Sequence, residues 1–416
     1  MDKFIEKLET KLVPIASKLG NQKHLLAIRD AFIVIMPLMI IGAFAVAINN
    51  MPIPAFQSFM DKVFPFMNGD QPIWKNLGGN IWSGSFAIIS LFMSFLVAYN
   101  LSNAYNMNGL IGGATSMASF CAIGGLTGAD AMGLIFALLI SLLSVELLRF
   151  LSGKKWLRIT MPEGVPPGVA DSFTNMLPMM ITVFIFSLAN TLLIRIGIEN
   201  VVLAFYEAFQ EPFMNLTNSL PSAIIIAVIP PLLWFFGLHG ANMIEPFMQS
   251  INVTAIDANI KAIQAGNSAP YIVSKPFFDA FVNLGGTGAT IALIIAIFLV
   301  VRKNQQFRKV AEFSVAPGLF NINEPMTFGL PIVLNPILFI PYILAPVVLT
   351  IIAYVTTSIG LVPACTFVLP WVTPPVIGGF LATQSVAGAI LAAVNVAVAV
   401  LIYLPFVKLA DKHANI

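Results

Sequence analysis

A histidine set among glycines ends one apolar run of this sequence, and a lone carboxylate opens another. The first is Trp234-Phe235-Phe236-Gly237-Leu238-His239-Gly240-Ala241-Asn242. The second is Gly318-Leu319-Phe320-Asn321-Ile322-Asn323-Glu324-Pro325, after which no charged residue occurs through Val407. A charged side chain at membrane depth costs about 2.5–3.5 kcal/mol on insertion scales, so such groups face a cavity and mark a site or pathway. A carboxylate or a neutral imidazole can also accept a hydroxyl proton as a general base. Around them, Asn242 and Asn323 offer amides for sugar hydroxyls, and Trp234 an aromatic face for the C–H surface of a sugar ring. Plainer roles stand beside these. His239 also suits a packed or capping position, and Glu324, held extended before Pro325, suits a helix start favoured by the macrodipole.

Two further stretches carry candidate chemistry. Pro370-Trp371-Val372-Thr373-Pro374-Pro375 interrupts any helix and presents Trp371, either as a stacking platform or as an interfacial anchor. Ser274-Lys275-Pro276 brings a cation that either reaches the site or snorkels. The turn-rich segment from Met161 to Phe173 reads as a rigid loop or as a docking surface for a soluble partner. Cys121 and Cys365 lie in apolar runs with no CxxC pair, so neither a disulfide, a metal site nor a cofactor is implied. No GxxxxGKS loop is present, which excludes ATP hydrolysis by this chain. A formal net charge of +2 argues for no nucleic-acid partner.

The elements that must position these residues are set by lipid. The chain is 58% hydrophobic and 10% charged, whereas a soluble domain carries about 25% charged residues. Charge-free stretches from Asn76 to Ala129 and from Pro325 to Val407 leave room for several spans of ~20 residues each. The expected class is an all-α polytopic membrane protein with about ten transmembrane helices, re-entrant hairpins and one interfacial amphipathic helix. Spans are expected near 30–50, 80–104, 109–128, 131–151, 172–194, 219–238 and 280–301, with about three more beyond 325. The stretch 239–279 holds His239, Glu245, Asp257, Lys261, Lys275 and Asp279, and is expected to be broken or hairpin-like, buried or facing a cavity.

The organisation that follows has a cytoplasmic segment at 1–29 and regular N-terminal helices over 30–198. An amphipathic linker helix follows at 199–218, then a substrate-binding half at 219–407 and a cytoplasmic tail at 408–416. Pro and Gly interrupt the second half, and transporters bind substrate where helices are discontinuous, so the site belongs there. Basic residues in the N-terminal segment, at Lys154-Lys155-Trp156-Leu157-Arg158, at Arg302-Lys303 and at Lys408 put both termini in the cytoplasm.

Five motifs together resemble a known family. They are Asn21-Gln22-Lys23-His24-Leu25 with Ile28-Arg29-Asp30, Val165-Pro166-Pro167-Gly168-Val169, Gly237-Leu238-His239-Gly240, Phe320-Asn321-Ile322-Asn323-Glu324-Pro325, and Trp371-Val372-Thr373-Pro374-Pro375. The chain resembles, end to end, the membrane component (enzyme IIC) of bacterial sugar phosphotransferase systems, in the lactose, cellobiose and diacetylchitobiose group. The resemblance implies a multi-pass homodimer in the bacterial inner membrane, joined through its N-terminal helices. It also implies a C-terminal half with two re-entrant hairpins holding a β-linked disaccharide. The sugar's C6 hydroxyl is then presented to a phosphorylated cytosolic enzyme IIB on a separate polypeptide. By motif match His239 and Glu324 lie at that hydroxyl, with Asn242, Asn323, Lys275, Trp234 and Trp371 in the same neighbourhood. From the residues alone two readings remain open: an ion-coupled transporter with His239 and Glu324 as a proton relay, and a membrane receptor that moves nothing.

Overall fold

A computed structural model describes residues 22–49, 54–68, 71–162, 164–236, 239–301, 304–330, 332 and 336–413. Expectations for residues 1–21, Gly237, Leu238, Arg302, Lys303 and the last three residues lie outside the described residues. The chain divides into two compact units between Phe213 and Met214.

The first unit holds α1 (Lys23–Asn49), α2 (Pro54–Val63), the two-residue pair β1 (Met67–Asn68) and β2 (Gln71–Pro72), α3 (Trp74–Ser83) and α4 (Ile89–Ala104). It continues through α5 (Gly109–Ala122), α6 (Leu134–Ser152), α7 (Pro167–Arg195) and α8 (Val201–Phe205), then a π-helical turn at Tyr206–Gln210. The split falls inside α9 (Glu211–Thr217). Helix α4 packs against α1, α5 and α6. Their facing sides carry buried Ser90, Ser94, Thr115, Ser116, Ser141 and Ser144, small residues that let helices approach closely where no hydrophobic effect drives them together. Phe120, Phe136 and Val202 complete the core.

Helix α1 begins seven residues before the apolar stretch, at Lys23 rather than near Asp30. The extra turns are held by polar contacts. Gln22 Oε1 accepts the Leu25 N–H at 2.8 Å, and the His24 ring lies 3.0 Å from Glu146, which also accepts from the Tyr105 hydroxyl. The His24 motif thus ties the start of α1 to the ends of α4 and α6.

The second unit contains α10 (Leu220–Phe235), α11 (Gly240–Gln264), α12 (Lys275–Phe281), α13 (Thr290–Val300) and α14 (Gln305–Leu319). It ends with α15 (Glu324–Gly329), α16 (Pro336–Ser358), α17 (Pro375–Thr383) and α18 (Val386–His413). Capping side chains set many of the starts: Asn108, Asn200, Ser219, Ser274 and Asn304 each accept from a backbone N–H in the first turn of the helix that follows. The core gathers Leu293, Ile297, Met326, Leu338, Tyr342 and Tyr403.

Among the described residues, six helical stretches are long and apolar enough to cross a membrane, or seven if the bent pair 201–217 and 220–235 counts as one. The expected count of about ten is therefore not reached by helices of span length. The apolar stretches 109–128 and 280–301 contain helices of only 14 and 11 residues, and at 1.5 Å per residue these fall short of a ~30 Å hydrocarbon layer. The polar segment 239–279 is interrupted at 265–274, between α11 and α12, while α11 itself runs unbroken for 25 residues with Pro246 inside.

Irregular backbone buried in this unit is satisfied by asparagine amides rather than by a ladder. Asn259 donates to the carbonyls of Tyr271 (2.7 Å) and Cys365 (2.9 Å) and accepts from Tyr271 N–H (2.9 Å). Asn218 accepts from Ile272 and Val273 and donates to Pro270. Asn395 donates to Phe281. Unpartnered buried backbone groups each cost about 1–3 kcal/mol. Asn259→Leu strands three of them, and it is expected to lower the thermal unfolding temperature in detergent more than Leu293→Val, which trims one core methylene.

Candidate functional site

The site forms where α10 ends and α15 begins. His239 directly precedes α11, its carbonyl accepting from Met243 N–H at 3.2 Å. Glu324 opens α15 with Pro325 behind it, so the carboxylate sits where the helix N-terminus favours negative charge. Across 85 residues of sequence, His239 Nε2 lies 3.3 Å from Glu324 Oε1. Both side chains are open to solvent, 39% and 42% exposed, although the elements that carry them are packed. The pair is therefore held in place and reachable.

Trp234 closes the site from below. It is 1% exposed, its ring lies 4.6 Å from the His239 ring between centroids, and Phe328 meets its edge at 5.6 Å. Its indole N–H has no hydrogen-bond acceptor among the described residues. Such a buried donor is uncommon.

Asn323 does not open toward the same space. It is 5% exposed, and its amide nitrogen faces Thr327 Oγ1 (3.1 Å), the Tyr342 hydroxyl (3.3 Å) and the Thr287 carbonyl (3.5 Å). Its place is behind Glu324, holding the turn. Behind it comes a glycine turn that joins α12 to α13, with Gly285, Gly286 and Gly288 all at positive φ. A Cβ at Gly286 would fall 2.7 Å from the Asn321 carbonyl oxygen and 2.7 Å from Asn323 Cβ. Only glycine allows that approach, both sterically and for its φ of +98°.

Trp371 is 44% exposed on the turn that follows the irregular segment 363–370. Its carbonyl accepts from Asn321 at 2.7 Å, which brings the 370–374 loop to the Glu324 turn. Lys275 heads α12 and is paired with Asp279, both largely buried at 12% and 13% exposure. Its ammonium is thus already neutralised, and no described contact joins it to His239 or Glu324. Asn242 lies in the first turn of α11, and its side chain is outside the described residues.

The fold thus brings His239, Glu324 and Trp234 together. Nothing in the sequence singled out Phe328, Thr327 or Tyr342, and Asn321 stood out only as one of two amides beside Glu324. Phe328 stands four residues after Glu324 on one helix face, the i to i+4 spacing that could have flagged it. Tyr342 carries no sequence signal, because its tie to Asn323 depends on tertiary packing.

Residues 29–346 match the family described as phosphotransferase system, EIIC. The chain is 37% identical to the PTS system oligo-beta-mannoside-specific EIIC component of Bacillus subtilis, over 98% of this chain and 94% of that one. It is 36% identical to the PTS system cellobiose-specific EIIC component of Geobacillus stearothermophilus, covering 99% and 95% respectively. Its fold superposes on the crystal structure of the transporter ChbC, the IIC component from the N,N'-diacetylchitobiose-specific phosphotransferase system. There the TM-score is 0.91 and the identity 36%, with 98% of each chain covered. A family match over most of the chain, relatives aligned nearly end to end and a shared fold agree: the chain belongs to the EIIC family of the phosphotransferase system.

Proposed function

We propose that this chain binds and translocates a β-linked disaccharide of the cellobiose or diacetylchitobiose kind and presents its C6 hydroxyl for phosphorylation by a separate enzyme IIB. The observation that carries the reading is the His239–Glu324 pair, accessible and backed by the Trp234 ring. The names of the relatives support the class of sugar, since they specify oligo-beta-mannoside, cellobiose and N,N'-diacetylchitobiose.

The C6 hydroxyl hydrogen-bonds to Glu324, while His239 fixes the carboxylate and the Trp234 side of the site excludes water. As the sugar oxygen attacks phosphorus, the bond from phosphorus to the carrier residue of enzyme IIB breaks and the hydroxyl proton passes to Glu324. Phosphoryl transfer of this kind depends on positioning and on electrostatics more than on covalent help. Trp371 supplies a second ring face for the sugar. Asn242 and Lys275 contribute to the polar wall, and Asn323 acts through Glu324.

In this reading the glycine-turn hairpin α12–α13 and the loop leading into α17 are re-entrant elements. Both termini are then cytoplasmic, and two copies join through the N-terminal unit in the inner membrane.

The test uses proteoliposomes containing the purified protein. Cellobiose or diacetylchitobiose is supplied on one side and phosphorylated enzyme IIB on the other, and sugar phosphate is expected on the enzyme IIB side only. Uptake that follows a proton gradient and needs no enzyme IIB would instead make His239 and Glu324 a proton relay, overturning the reading.

A further inference from the structure

Asn321 stands three residues before Glu324 and has no part in the chemistry above, yet its side chain is fully engaged. It is 6% exposed. Its Oδ1 accepts from the Gly285 N–H at 2.8 Å, and its Nδ2 donates to the carbonyls of Trp371 at 2.7 Å and Thr373 at 2.8 Å. A carboxamide nitrogen carries two hydrogens, and both are used.

The backbone at Asn321 is left-handed, with φ +62°. Glycine takes that conformation freely, and asparagine tolerates it better than most other side chains. Position 321 therefore asks for three things at once: tolerance of positive φ, one acceptor and two donors. Asparagine is the standard residue that supplies all three at this length of side chain.

What the amide joins gives it its significance. Residues 363–370 belong to no helix or strand, and the turn at 370–373 is closed locally by Thr373, which donates from its N–H and its Oγ1 to the Pro370 carbonyl. Among the described residues, the hydrogen bonds between this loop and the Glu324 turn are both donated by Asn321. The same amide accepts from the glycine turn that packs behind Asn323. Three separate chain segments thus meet at one side chain, and one of them carries an exposed indole.

We propose that Asn321 is a positioning residue that sets the Trp371 ring against the Glu324 carboxylate. It thereby fixes where a sugar ring sits when its hydroxyl meets the base. The inference rests on the sugar-binding reading of Glu324 and Trp371. Its physical core, the control of the Trp371 loop, does not need a sugar and can be measured without one.

Two substitutions separate the contributions. Asn321→Asp keeps the shape and the acceptor for Gly285 but loses both donors and turns a carboxylate oxygen toward two carbonyls. Asn321→Gly keeps the left-handed backbone, adds no atoms and loses all three bonds, so it provides a foldable variant should the aspartate perturb assembly. The tryptophans are Trp74, Trp82, Trp156, Trp234 and Trp371, so subtracting the emission of Trp371→Phe counterparts isolates Trp371. In sugar-free detergent-solubilised protein, iodide quenching of Trp371 is expected to rise in both variants. The loss of two hydrogen bonds should weaken disaccharide binding and raise KM by about 10–30-fold, with kcat for phosphorylation falling by a smaller factor. Unchanged Trp371 quenching in both variants, or lowered thermal stability with KM unmoved, overturns the proposal. If quenching changes but the parent protein binds no disaccharide, the sugar reading fails while the control of the loop by Asn321 stands.

Discussion

Glu324→Gln is expected to reduce sugar phosphorylation by about a thousandfold while changing disaccharide affinity by less than about tenfold, since a positioned general base contributes roughly 10²–10⁴ to rate. Glutamine has the same length and branching, so the side chain can stay beside His239, which lies 3.3 Å from the carboxylate in the parent protein. It still offers an oxygen and gains two donors for sugar hydroxyls, but it cannot take the hydroxyl proton. Loss of rate with binding kept is the signature of an interaction that matters in the transition state alone. His239→Ala should behave differently. It removes the carboxylate's partner and a ring packed 4.6 Å from the Trp234 centroid, so binding and turnover should fall together. Isothermal titration with the disaccharide and transfer of labelled phosphate from enzyme IIB measure the two quantities separately. Near-parental turnover in Glu324→Gln would move the base elsewhere, with His239 the remaining candidate.

How far the sequence revealed this site depends on the kind of signal each residue carries. His239 and Glu324 were legible because a titratable side chain in an apolar chain is costly and so needs a reason. Trp234 was legible as the aromatic residue at the end of the same run. Asn323 was legible as a residue but not in its direction. Two amides beside a carboxylate suggest hydroxyl recognition, and only the packing shows Asn323 turned toward Thr327, Tyr342 and Thr287. Composition made the helical membrane class certain, but length alone misjudged the elements. The apolar stretch 280–301 looks like one span, yet its first part is a turn in which Gly285, Gly286 and Gly288 take positive φ. Conversely, charges made 239–279 look broken without showing where: the break falls at 265–274, and α11 before it is continuous because Gln249, Asn252, Thr254, Asp257 and Asn259 are buried against protein rather than lipid. Periodicity cannot tell a helix buried in protein from one that avoids lipid. The asparagines that hold the irregular loops, Asn218 and Asn259, give no local signal at all, since their partners lie far along the chain.

That dependence on distant backbone makes Gly286→Ala the most informative change outside the chemical groups. The methyl group would meet the Asn321 carbonyl oxygen and Asn323 Cβ at 2.7 Å each, and the residue would have to keep a φ of +98°. Real Cβ contacts are not that short, and neither neighbour is the free end of a flexible chain, so the two turns must move apart. A non-glycine residue held at such a φ adds about 1–3 kcal/mol of strain, a loss of stability that should appear as a lower unfolding temperature without loss of the folded protein. The displacement reaches the chemistry in one step, because Asn323 immediately precedes Glu324 and anchors its turn to Thr327 and Tyr342. A shift of about 1 Å at a reacting group is enough to cost on the order of 10²-fold in rate. Gly286→Ala is therefore expected to lose roughly a hundredfold in phosphorylation with His239, Glu324, Trp234 and Trp371 all intact. Gly197→Ala provides the control. It also carries a positive φ, +94°, but its Cβ would meet nothing within 4 Å, so it bears the backbone strain without the displacement. If both variants lose activity equally, strain alone is responsible. A loss confined to Gly286→Ala shows that the close approach of the two turns is what holds the carboxylate at the hydroxyl.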